Sequence, residues 1–194
     1  MPRLLAALLL ALCLSACGVN DIPTLQERAK ASWSEVENQY QRRADLIPNL
    51  VETVKGYAQH EQEVLEGVTR ARAAAVQSNP GPDPAQHPDQ AQDYIRKQGE
   101  LTGALGRLLV ITERYPDLKA NQNFLALQSQ LEGTENRIAV ARRDYIDAVR
   151  AYNTALRTFP DIVWAKTLYT DAQPMPELQA EQGAQQAPKV KFGT

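Results

Sequence analysis

The longest regular pattern in the chain is a helical repeat that extends from Phe124 to Phe159. Apolar, tyrosine, alanine or threonine side chains recur there at alternating steps of three and four residues. A sustained 3.5-residue period places one stripe along an α-helix and favours left-handed, coiled-coil-like packing against a neighbouring helix. The stripe consists of Phe124, Leu127, Leu131, Thr134, Ile138, Ala141, Tyr145, Ala148, Tyr152, Ala155 and Phe159. We therefore expect a long helix over about 121–158 that packs against apolar partners.

Three shorter helical patterns precede this one and are separated by prolines. We expect helices over about 23–43, 45–75 and 89–114. Asp45 is a favourable N-cap and Pro48 would lie in a first turn, so we favour a break there over one long helix kinked at Pro48. The proline-rich stretch 79–88 ends the second helix as a polar loop that we expect to be mobile. The pattern predicts an all-α fold, an antiparallel up-and-down four-helix bundle over residues 23–165 with long coiled-coil-like helices.

The first seventeen residues have the features of a bacterial lipoprotein signal. Arg3 precedes an uncharged apolar run from Leu4 to Leu14, which is short for a membrane span but typical of a signal peptide. The following Leu14-Ser15-Ala16-Cys17 resembles a lipobox, which predicts a signal peptide over residues 1–16, lipidation of Cys17 and a linker over 17–22. The alternative is an uncleaved anchor in which Cys13 and Cys17 are two buried apolar side chains.

This signal also predicts where the chain resides. A diacylglycerol on Cys17 would attach the bundle to a membrane from the periplasmic side. Gly18, rather than Asp, follows the cysteine, which by resemblance to enterobacterial sorting favours the outer membrane over the inner one. Removal of Cys13 and acylation of Cys17 would leave no thiol for a disulfide or a cysteine metal site.

Charge and motifs exclude several function classes. With 21 basic and 23 acidic residues, the chain lacks the concentrated positive charge of nucleic-acid binders. His60-Glu61 begins a zinc-protease motif, but the second histidine it needs at position 64 is Val64, and His87 lies in the proline-rich loop. A nucleophile elbow and a phosphate-binding glycine loop are also missing. We therefore predict no metal, no cofactor and no enzymatic activity.

Glu61 is the most unusual ionisable residue in the pattern, because it lies on the apolar stripe of the predicted second helix. A buried carboxylate is costly unless it is paired. Its candidate partners are Arg137, Arg142 and Arg107, which lie near the middle of their helices. A functional site is one interpretation; a buried polar or ion-pair network formed by Glu61, Arg137 and Arg142 is the one that we favour. The pairs Arg42-Arg43 and Arg142-Arg143 are either solvated faces or contacts to lipid phosphates, and the first is the more common.

Two stretches resemble the LemA family. They read RRADLIPNLVETVKGYAQHE at 42–61 and ENRIAVARRDYIDAVRAYNTALRTFP at 135–160, with YPDLKAN between them at 115–121. The resemblance covers residues 33–164 in matching order. One departure is Tyr145-Ile146, where the family usually has Tyr-Asn. The resemblance implies an antiparallel four-helix bundle attached to a membrane at its N-terminus, and it implies no known biochemical activity.

These observations predict a non-catalytic lipoprotein of the bacterial envelope that acts as a scaffold or interaction module. Its partner would be another envelope protein or a second copy of itself. The alternatives are a periplasmic ligand-binding or sensor module and, less favoured, a hydrolase. We expect residues 166–194, which are rich in Gln, Ala and Pro near the end, to form a flexible tail.

Overall fold

The computed structural model describes residues 18–178, and this part of the chain is entirely helical apart from its connecting loops. The all-α class is therefore confirmed. The described helices are α1 (Asp21–Lys55), α2 (Gln62–Gln77), α3 (Pro88–Thr112), α4 (Pro116–Lys119), α5 (Gln122–Ala155) and α6 (Asp161–Thr167).

The first helix, α1, is continuous for 35 residues and passes through Pro48. The break predicted near Asp45 is therefore wrong. Proline has no N–H to donate to the carbonyl four residues earlier, which here belongs to Ala44. That carbonyl instead accepts a hydrogen bond of 2.7 Å from Nε of Arg72 on α2. Because the orphaned acceptor is satisfied by a neighbouring helix, the long helix tolerates its proline.

The two longest helices, α1 and α5, lie side by side with opposite chain directions. Trp33 contacts Tyr145 with ring centroids 5.2 Å apart, whereas Arg43, ten residues later, contacts Glu135, ten residues earlier. The predicted stripe on α5 forms this interface as expected, and most of its members are buried. Phe159 is the exception. The helix ends at Ala155, and Phe159 is 82% exposed, so its predicted place in the interface is wrong.

The interior contains two apolar clusters. The aromatic cluster lies near the start of α1 and the end of α5, where Trp33 packs edge-on to Tyr94 and Tyr40 does the same. The aliphatic cluster lies toward the other end. The rings of the aromatic cluster belong to Trp33, Tyr40, Tyr94, Tyr145 and Tyr152. The large members of the aliphatic cluster are Ile47, Leu50, Val54, Leu65, Val68, Leu101, Leu105, Leu108, Leu118, Phe124 and Leu131.

The proline-rich loop between α2 and α3 is fastened to α1, contrary to the mobility we expected. The indole N–H of Trp33 donates to the carbonyl of Gly81 at 3.0 Å. Gly81 has φ of +85°, a conformation that favours glycine. Two residues later, the Asp83 carboxylate accepts from Lys30 at 2.9 Å. The loop therefore covers part of the aromatic cluster.

The chain after α6 returns along α5, so the flexible tail predicted from residue 166 begins too early. Asn153 donates to the carbonyl of Met175 at 3.0 Å and accepts from the Met175 N–H at 2.9 Å. The hydroxyls of Tyr152 and Tyr145 donate to the carbonyls of Gln173 and Pro176. Met175 is 2% exposed and belongs to the aromatic cluster. We call residues 173–176 the strap.

Candidate functional site

A buried arginine lies between the two apolar clusters. Arg43 on α1 is only 1% exposed, although arginine is rarely buried without partners. Its Nη1 donates to the Thr102 hydroxyl at 2.8 Å and to the Glu135 carboxylate at 2.9 Å. Its Nη2 donates to the side-chain oxygen of Gln98 at 2.6 Å and to the Gln98 carbonyl at 3.2 Å. One guanidinium therefore joins α1, α3 and α5.

Arg43 is desolvated more completely than Glu135, its anionic partner. Glu135 keeps 36% of its side chain exposed, so the anion remains partly hydrated while the cation does not. The ring of Tyr40, with its centroid 5.1 Å from the guanidinium carbon, adds a cation–π contact. Nε of Arg43 is buried without a hydrogen-bond partner. The hydrogen bonds of Nη1 and Nη2 are all made to other residues of the chain, so the arrangement braces the three helices.

We call Arg43 and its partners Gln98, Thr102 and Glu135 the Arg43 layer. Ionisable groups beside this layer respond to the low dielectric of the core. Burial, with the nearby Glu37 carboxylate, raises the pKa of Tyr94 far above its ordinary value. Burial also raises the pKa of Glu37, and a hydrogen bond with Asn79 acts against this rise. Each shift favours the neutral form more than in a free side chain, and the raised pKa of Tyr94 makes it a poor source of a phenolate for chemistry.

The sequence comparisons bear on the same region of the chain. A model of the LemA family matches residues 32–192, which include most of α1, all of α5 and the strap. The chain belongs to the LemA family.

Curated relatives extend this assignment. The chain is 27% identical over 161 residues to magnetosome protein MamQ 2 of Paramagnetospirillum magneticum, with 73% of this chain and 58% of the relative covered. The figures are the same for magnetosome protein MamQ of Magnetospirillum gryphiswaldense. It is 23% identical over 140 residues to protein LemA of Metamycoplasma hominis, with 72% and 60% covered. The LemA-family chain thus spans about three fifths of the length of these relatives.

The structure places the predicted polar network of this LemA-family chain differently. Glu61 precedes α2, where its carboxylate accepts from Arg114 at 2.8 Å and from the Tyr115 hydroxyl at 3.2 Å. Arg137 contacts Gln39 across the α1–α5 interface, and Arg142 donates to the Tyr40 hydroxyl at 3.1 Å. The three residues therefore do not form one network. Glu61 does have an arginine partner, but that partner is Arg114, which lies just after the end of α3.

Two further predicted residues complete this comparison. Arg107, the third candidate partner, is exposed on α3. Cys17, the predicted lipidation site, lies outside the described residues, as does the predicted signal peptide over residues 1–16. The burial of Arg43 was not predicted, because Arg42-Arg43 was interpreted as a surface pair.

Between residues 18 and 178, the His, Cys, Asp and Glu side chains form no group that could hold a metal ion.

The surface of the LemA-family chain carries open grooves. One of them, with a volume of about 570 Å³, lies between α1 and α2 and is open to solvent. Charged side chains of both signs line it, including Glu52, Lys55, Glu66 and Arg70.

Within residues 18–178, every helix is too short or too polar to cross a bilayer.

Proposed function

We propose that this chain is a non-catalytic lipoprotein, attached to a membrane through Cys17 on the periplasmic side, whose up-and-down four-helix bundle serves as an interaction module for another envelope protein or for itself. The observation that carries the proposal is the Arg43 layer. The most deeply buried charge in the described part of the chain is used to join three helices. This arrangement suits a rigid support better than a catalytic cleft.

The proposed mechanism is positional. A lipid on Cys17 would confine the bundle to two dimensions and raise its effective concentration for other membrane-bound partners. The bundle begins at Asp21, four residues after the anchor. At 1.5 Å per residue, the 35 residues of α1 extend about 50 Å, so the far end can reach a partner well beyond the lipid headgroups. We favour the outer membrane, because Gly18 follows the cysteine.

A sensor or ligand-binding module is the second candidate, and the groove between α1 and α2 is the observation in its favour. A groove of this size can accommodate a small molecule. The groove is wide open to solvent, whereas small-molecule sites usually enclose most of their ligand. The interaction module therefore accounts better for the long, braced helices.

Crosslinking in intact bacteria tests the proposal. The native chain is compared with Cys17→Ala, which cannot be acylated, and with Cys13→Ala, which changes a cysteine that cleavage before residue 17 would remove. We expect Cys13→Ala to match the native chain in membrane fraction, mature N-terminal mass and captured proteins. Cys17→Ala should lose the lipid mass and the captured proteins.

Two results would contradict the proposal. An unmodified Cys17 or a retained Met1 in the native product excludes the lipid anchor. Equal capture of the same partners by Cys17→Ala excludes confinement as the mechanism while leaving an interaction role intact.

A further inference from the structure

Three large apolar side chains in and beside α6 are exposed at one end of the helical fold. Phe159 is 82% exposed, Val163 44% and Leu168 59%, and all three fall within ten consecutive residues. The other large apolar side chains exposed in the described part of the chain are separated along the sequence. A concentration of exposed hydrophobic side chains on a water-soluble fold usually marks a surface that contacts something else. We call Phe159, Val163 and Leu168 the α6 patch.

The α6 patch lies beside the point where the N-terminal segment enters the bundle. A side-chain carbon placed on Gly18 would be 3.2 Å from Oδ1 of Asp161 and 3.9 Å from Nε1 of Trp164, both on α6. Gly18 directly follows Cys17 and, before it, the apolar run that ends at Leu14. A membrane attachment made through Cys17 or the preceding apolar run would therefore join the described chain at Gly18, next to α6 in space.

We propose that the α6 patch lies against the lipid bilayer next to the anchor, and this proposal rests on the proposed membrane attachment. Burying Phe, Val and Leu side chains in the acyl–headgroup boundary removes their apolar surface from water. Trp164 is half-buried on the same helix, and its amphipathic indole suits the headgroup level. Lys166 and Arg157 are exposed nearby and are attracted to anionic headgroups.

The direction of the strap argues against the chain's own C-terminus as the occupant. Gln173 contacts Tyr152, whereas Pro176 contacts Tyr145, seven residues earlier on α5. The described chain therefore moves away from α6 as it approaches Leu178. Leu178, the last described residue, therefore follows a course away from Phe159, whereas Gly18, which follows the proposed lipidation site, lies next to Asp161 and Trp164 of α6.

Two matched tryptophan reporters test the proposal in the full lipidated chain, reconstituted into vesicles of a phosphatidylethanolamine–phosphatidylglycerol mixture with and without brominated acyl chains. Phe159→Trp places a reporter in the α6 patch. Val110→Trp is the control, because Val110 is also exposed, at 71%, but lies near the end of α3. That end adjoins the Glu61–Arg114 pair, which lies beyond the far end of α1. We expect bromolipid to lower the emission of the added tryptophan at 159, and to cause no added loss at 110 relative to the native chain.

Each other outcome contradicts a distinct statement. If the protein floats with the vesicles and the reporter at 159 is not quenched, the α6 contact is wrong while the anchor stands. If the reporter at 159 is also shielded from acrylamide, the patch is covered by protein, either residues 179–194 or a second copy. Equal quenching at 110 contradicts a contact confined to α6. A chain that does not float contradicts the membrane attachment itself. Unchanged thermal unfolding in both variants confirms that each is folded.

Discussion

The guanidinium of Arg43 and the carboxylate of Glu135 meet at 2.9 Å, although 92 residues separate them in the chain. The contact crosses the interface between the two longest helices and lies between the aromatic and aliphatic clusters. The ion pair therefore connects a cation buried in the interior to a carboxylate that is partly exposed to solvent.

Removing the buried cation should be costly. In Arg43→Ala, the oxygens of Gln98 lose a donor and a cavity remains, so we expect the free energy of unfolding to fall by about 3 kcal/mol. Arg42→Ala, at the exposed neighbouring position, should change it by less than about 0.5 kcal/mol. Urea denaturation monitored by circular dichroism measures both. In Arg43→Leu with Gln98→Leu, apolar side chains replace the cation and its most buried partner, and part of the loss should be recovered. Similar midpoints for Arg42→Ala and Arg43→Ala would contradict this account.

Pro48 and Arg72 should be energetically coupled, because the proline leaves the Ala44 carbonyl available to the arginine. Arg72→Ala in the native chain should cost about 1.5 kcal/mol, the value of a hydrogen bond to a charged donor. With Pro48→Ala, the helix can bond that carbonyl itself, and the same arginine substitution should cost less. A double-mutant cycle measures the difference, for which we expect about 1 kcal/mol. Additive effects would show that the two residues act independently.

The strap should detach when its amide partner is removed. Asn153→Ala leaves the N–H and carbonyl of Met175 unpaired, so we expect a loss of about 2 kcal/mol and faster proteolysis within residues 173–178. Asn136→Ala is the control, because Asn136 is exposed on the same helix. Cleavage rates that are the same in the two variants would mean that the strap is held by other contacts.

Acid should weaken the attachment of the proline-rich loop. Partial burial opposes ionisation of Asp83, but its hydrogen bond and charge interaction with Lys30 lower the pKa overall. The stabilisation, about 1 kcal/mol for a partly exposed pair, is thus complete above about pH 4 and is lost as pH falls through the lowered value. Asp83→Asn should destabilise the chain at pH 7 and have little effect near pH 2. Unfolding curves across this range test the sign.

Glu37→Gln provides the opposite case. Burial raises the pKa of Glu37, so the contribution of this residue to stability is most favourable below the ordinary value of 4.5 and is lost as pH rises through the raised value. The amide removes that loss. We expect Glu37→Gln to be stabilising at pH 7 and nearly neutral in acid. A constant difference at all pH values would contradict a titration effect.

The long α5 was predictable because its period continues without interruption for most of its length. The continuity of α1 was not, since it depends on Arg72, a residue from another helix. This error also concealed Arg43. The buried residues of α1 follow steps of three and four when the helix is taken as one, and Arg43 lies on that stripe between Tyr40 and Ile47. Because the first helix was predicted to end at residue 43, Ile47 and the later residues of the stripe were assigned to another helix, and the place of Arg43 on the buried stripe was not recognised.

The strap and the partner of Glu61 were unpredictable for a different reason. Asn153 holds the backbone of Met175, and any residue but proline offers the same N–H and carbonyl. Composition therefore gives no signal for this contact. Glu61 was interpreted as a residue within a helix, but it precedes α2, and this places it beside Arg114.

The single polar layer has a consequence for alignment. Helices with heptad stripes can slide by seven residues, about 10 Å, and still match apolar faces. Such a slip would strand a guanidinium among aliphatic side chains, at a cost of several kcal/mol. We therefore expect Arg43 to disfavour the shifted registers, so that the helices pack in one register and present one outer surface.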